Sequence, residues 1–71
     1  MHIVKSNRSD IIVGANIYDA GSAYHVVIRH LEDYVQSEGF PFKYYDITLR
    51  ATWYDSRRKE FRYKFVLRWI E

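Results

Sequence analysis

Between Tyr44 and Ile70 the chain alternates large apolar and polar side chains in two runs, split by the polar segment Asp55-Ser56-Arg57-Arg58-Lys59. A period of two belongs to a strand whose faces meet different surroundings. More than a third of this 71-residue chain is thereby committed to an antiparallel β-hairpin. Tyr45, Ile47, Leu49, Ala51 and Trp53 share one side of the first run, and Tyr44, Asp46, Thr48, Arg50, Thr52 and Tyr54 the other. In the second run Phe61, Tyr63, Phe65, Leu67 and Trp69 alternate with Glu60, Arg62, Lys64, Val66, Arg68 and Ile70. The expected register sets Tyr54 opposite Glu60, Trp53 opposite Phe61, Leu49 opposite Phe65, Asp46 opposite Arg68 and Tyr45 opposite Trp69. That alignment keeps apolar residues together on one face.

The residues before the hairpin change period. Tyr24, Val27, Ile28, Leu31, Tyr34 and Val35 recur at helical spacing and form one apolar stripe. Ser22 is the expected N-cap, with Asp19 as the competing choice, and Gly39 followed by Pro41 reads as the helix stop. Further upstream, Ile3-Val4 and Ile11-Ile12-Val13 are β-branched runs separated by Ser6-Asn7-Arg8-Ser9-Asp10. Either two strands or one strand with a tail fits them, and Gly14 suggests a bulge or an interruption. The expected fold is a single α+β domain over residues 1–71: a small antiparallel sheet, ββαββ first and βαββ second. One amphipathic helix lies across the odd-numbered face of the hairpin. Trp69 is expected in the core against that helix, near Leu31 or Tyr34.

Composition sets limits on function. With 48% hydrophobic and 18% aromatic residues, disorder is not expected. The absence of cysteine excludes a disulfide framework and thiolate zinc sites. No stretch approaches the length of a membrane span or a signal-peptide core, so a soluble, cytoplasmic protein is the expectation. Net charge is only +2, but residues 1–42 carry −2 and residues 43–71 carry +4. The charge asymmetry bears on partners rather than on fold.

Catalytic chemistry finds little support. His25 and His30 are five apart on the helix, about 140° around it, and cannot grip one ion together. His30 and Asp33 are helix neighbours, a surface contact rather than a dyad. Glu32 and Asp33 point to different sides, and Asp19, Asp46, Asp55 and Glu60 are each explained by a cap, a cross-strand partner or a turn. No serine lies in a nucleophile-elbow pattern. The turn Asp19-Ala20-Gly21-Ser22 lacks a lysine for phosphate binding, and Asp19 would repel an anion. No catalytic residue, metal ligand or small-molecule cofactor is expected, and the aromatic stripe is read as core.

The even-numbered face of the hairpin stands out. Tyr44, Arg50, Tyr54, Arg62, Lys64 and Arg68 fall on it, and Arg57 and Arg58 extend its basic character across the turn. Arg and Tyr are enriched at interface hot spots because each combines large contact area with a polar handle. These residues are therefore the expected partner-binding set of a non-catalytic module, an interaction or inhibitory factor. A protein partner or self-association is favoured over nucleic acid, because duplex-binding domains are commonly far more basic. The alternative is a single-stranded nucleic-acid or RNA-binding module using the same face.

Overall fold

The computed structural model describes residues 1–38 and 44–70. Strands β1 (His2–Ser6) and β2 (Asp10–Ala15) precede helix α1 (Ala20–Glu38), and β3 (Tyr44–Asp55) and β4 (Glu60–Ile70) follow it. All four strands join one antiparallel sheet in the order β1-β2-β4-β3. The fold is the ββαββ form of the two expected. Its first hairpin closes on Asn7, whose Oδ1 accepts the backbone N–H groups of Ser9 and Asp10 at 2.7 and 2.8 Å. The Asn7 side chain thus replaces a backbone turn.

The helix covers one face of the sheet, principally over β2 and β4. Ile11, Val13 and Ala15 of β2, Tyr63, Phe65 and Leu67 of β4, and Ala23, Val27 and Leu31 of the helix form the core. The buried helical stripe is Ala23, Val27 and Leu31, with Ala20 and Val26 partly buried beside it, rotated toward the small residues from the one the sequence predicts. Two alanines admit the sheet closely, and Tyr24 is displaced to the edge, where its ring lies 6.1 Å from that of Phe65. Asp19, rather than Ser22, is the N-cap. Its Oδ1 accepts the Ser22 N–H at 3.0 Å, and its Oδ2 accepts the Ser22 hydroxyl at 2.7 Å. The Gly39–Pro41 stop and the Tyr34 side chain lie outside the described residues. Trp69 is partly buried at the margin of the core, and its indole N–H donates to the Arg8 carbonyl at 2.7 Å.

The hairpin register agrees with expectation at the end far from the turn, where Tyr45 faces Trp69, Asp46 faces Arg68 and Leu49 faces Phe65. A bulge at Arg50 then advances β3 by one residue, so that Trp53 faces Arg62, Tyr54 faces Phe61 and Asp55 faces Glu60. An extra residue in one strand reverses the faces of everything beyond it. Trp53 therefore leaves the predicted core side, and Tyr54 leaves the predicted outer side. Gly14 does not interrupt β2, and the irregularities sit instead at Val4 and Arg50.

Candidate functional site

On the face opposite the helix, β4 presents Glu60, Arg62, Lys64, Val66 and Arg68 between β2 and β3. Arg62 is not available as a surface cation. Its side chain is only 12% exposed, with Nη2 2.6 Å from Glu60 Oε1 and 3.7 Å from Asp55 Oδ2. Gly14 makes room for this arrangement. A Cβ there would come within 2.7 Å of Glu60 Oε1 and 2.9 Å of His2 Cε1. Glycine in β2 thus serves close approach rather than an unusual backbone angle. His2 Nε2 stands 3.6 Å from the same Glu60 oxygen, so Glu60 lies between Arg62 and β1.

Lys64 is also engaged. Its Nζ lies 3.8 Å from Asp10 Oδ2, and Lys5 Nζ reaches the other oxygen of Asp10 at 4.0 Å. Asp10, Asp55 and Glu60, one from each of three adjacent strands, therefore stand among the cations of this face. Arg68 is exposed opposite Asp46, and Arg50 is exposed at the bulge. The Tyr44 side chain lies outside the described residues. Tyr54 stands on the helix side, half-exposed, with its ring edge-on to Phe61 at a centroid distance of 5.1 Å. Of the expected set, Arg62 and Lys64 are thus ion-paired and Tyr54 is on the opposite face.

The turn places Arg57, Arg58 and Lys59 at the hairpin tip, all exposed. Asp55 Oδ1 accepts the backbone N–H groups of Arg57 and Arg58 at 3.0 and 3.1 Å, which fixes the turn. Beside it lies an open depression of about 500 Å³, bounded by the β1 residues His2, Ile3 and Val4 and by Asp55, Arg58, Glu60 and Arg62. A shallower groove of about 230 Å³ lies on the helix side, lined by Tyr18, Leu49, Arg50, Ala51 and Thr52.

Several exposed residues were missed by periodicity. Leu49, Trp53, Tyr18 and Tyr24 are exposed by 38%, 41%, 61% and 43%, although alternation or helical spacing placed all but Tyr18 inward. The edge position of β3 explains Leu49, and the bulge explains Trp53. The hydrogen bonds of Asn7 and Asp19 are signals that sequence can supply, whereas a bulge without glycine or proline leaves no such signal.

His30 Nε2 lies 2.8 Å from Ser6 Oγ, joining the helix to β1. No group of three His, Asp or Glu side chains able to hold a metal is present among the described residues. Asp19 has its carboxyl pKa lowered, chiefly by the Ser22 hydroxyl and then by the Ser22 N–H. That is the signature of a helix cap rather than of a proton carrier. No helix among the described residues is long and apolar enough to cross a membrane. Comparison with protein-family models, with curated proteins and with solved structures finds no match for this chain.

Proposed function

We propose that this chain is a small non-catalytic protein-binding module, an interaction or inhibitory factor, acting through its C-terminal hairpin. The observation that carries the reading is the contrast along that hairpin. Arg62 and Lys64 face acids of the same molecule, whereas Trp53 and Tyr54 are 41% and 53% exposed. A nucleic-acid groove needs a continuous track of cations for phosphates, and ion pairs interrupt that track here. Exposed Trp53 on the outer face and Tyr54 on the helix side, with scattered Arg, suit a protein partner that grips the hairpin from both sides, where rings fill pockets. A second copy of the chain is one such partner. The cysteine-free composition suits a reducing cytoplasm.

The test is co-purification from native lysate, with and without nuclease, using the parent chain and the Trp53→Ala and Tyr54→Ala variants. One defined protein recovered despite nuclease, and lost with either substitution, supports the reading. Recovery that disappears with nuclease assigns the hairpin to nucleic acid instead.

A further inference from the structure

We infer that the hairpin tip Arg57-Arg58-Lys59 is the contact for an acidic surface on the partner, an inference that rests on the protein-binding reading above. The acids bracketing the tip are turned back along the outer face toward Arg62. Asp55 holds the Arg57 and Arg58 backbone N–H groups and lies 3.7 Å from Arg62 Nη2. Glu60 meets Arg62 at 2.6 Å and His2 at 3.6 Å. Among the described residues, no carboxylate oxygen comes within the 4.0 Å of an ion pair of the Arg57, Arg58 or Lys59 side chains. Three consecutive cations are therefore presented without internal compensation on a turn whose backbone is fixed.

Lys59 sets the shape of the same turn. Its φ is 54°, the left-handed region that glycine enters without strain and other residues enter at a cost. A lysine there keeps a third positive charge at the tip where glycine would relieve the backbone. This left-handed residue closes the turn of residues 56–59 between Asp55 and Glu60. The charge is also concentrated at one end of an elongated molecule measuring 38 × 20 × 18 Å. A compact cluster matches an acidic patch or cleft better than an extended phosphate backbone, which would have to pass the acids paired with Arg62 and Lys64. Trp53 and Tyr54 stand behind the tip on opposite faces of the hairpin, so a cleft that takes the tip meets a ring on each side.

The experiment measures binding of a fluorescein-labelled octaglutamate peptide and of dodeca-uridine at low ionic strength. The proteins compared are the parent, Lys64→Ala, Lys59→Gly and the triple variant Arg57→Ala/Arg58→Ala/Lys59→Gly. Exposed ion pairs are worth ~1.4- to 5-fold each, so the triple variant should lose roughly 3- to 100-fold for octaglutamate while Lys64→Ala changes little. Lys59→Gly should weaken binding and raise Tm by roughly 2–6 °C, because strain is released. Unchanged octaglutamate binding in the triple variant overturns the tip assignment. Tighter binding of dodeca-uridine, lost in the same variant, overturns the partner class in favour of RNA. The same variant also separates this inference from the reading beneath it. If it still recovers the parent's nuclease-resistant partner from lysate, the tip inference fails and the protein-binding reading stands. If the parent recovers no such partner, the reading itself fails.

Discussion

The Tyr63 hydroxyl accepts the backbone N–H of Asp19 at 2.7 Å and donates to the Ile17 carbonyl at 3.1 Å. The ring of Tyr63 is fully buried in the core, so one side chain on β4 fixes the segment that delivers the chain from β2 into the helix. Tyr18, within that segment, packs its ring 5.6 Å from Phe61 and 5.7 Å from Tyr63. The helix start is thus tied to the hairpin across more than forty residues of sequence.

Replacing Tyr63 by Phe keeps the ring and removes both hydrogen bonds. The Asp19 N–H and Ile17 carbonyl then lose a partner in a part-buried setting, which costs ~1–3 kcal/mol. For a domain of this size Tm should fall by at least ~4 °C. Denaturant unfolding of the variant checks this, and an unchanged midpoint would show that water replaces the hydroxyl without penalty.

The Asp19 cap makes stability depend on pH. Its folded pKa is lowered by the Ser22 hydroxyl and N–H, so its contribution is complete above the ordinary carboxylate value of ~3.9. The contribution is lost as pH falls below that value and through the lowered folded pKa. Asp19→Ala should therefore melt below the parent at neutral pH, and the gap should narrow in acid. Asp19→Asn, which keeps an accepting oxygen, should lose less. Thermal melts of the three proteins from pH 7 to pH 2 provide the measurement.

The bulge predicts different solvent access for the two tryptophans. Trp53 is 41% exposed on the outer face, whereas Trp69 packs at the core margin with its N–H bound to the Arg8 carbonyl. In Trp69→Phe the remaining emission should be red-shifted and readily quenched by iodide. In Trp53→Phe it should be better protected. Equal quenching would indicate the unbulged register, with Trp53 under the helix.

Glu60→Ala should be among the more damaging substitutions on the outer face. It leaves the Arg62 guanidinium, 12% exposed and with Nε buried without a hydrogen-bond partner, dependent on Asp55 at 3.7 Å. Removing one partner of a largely buried ion pair costs roughly 3 kcal/mol. The double variant Glu60→Leu/Arg62→Met, which removes both charges, should recover much of that loss. Arg62→Ala accordingly tests stability as well as binding, whereas Arg57→Ala and Arg58→Ala should change stability by only ~0.5 kcal/mol.

Local sequence determined the existence of the long hairpin, the central helix and the register from Tyr45–Trp69 to Leu49–Phe65. These follow from residue period and turn composition, which act over a few neighbours. The basic character of the tip was equally legible, because Arg57, Arg58 and Lys59 are adjacent in the chain. Tertiary structure decided which cations remain available. Glu60 occupies the space above Gly14, Asp10 faces Lys64 from β2, and each relation depends on β2 lying beside β4. It also decided the bulge at Arg50, which moved Trp53 outward and Tyr54 toward Phe61. Alternation records only which residues differ from their neighbours, whereas a bulge and a cross-strand ion pair depend on which strands are adjacent and how far each is shifted along the other.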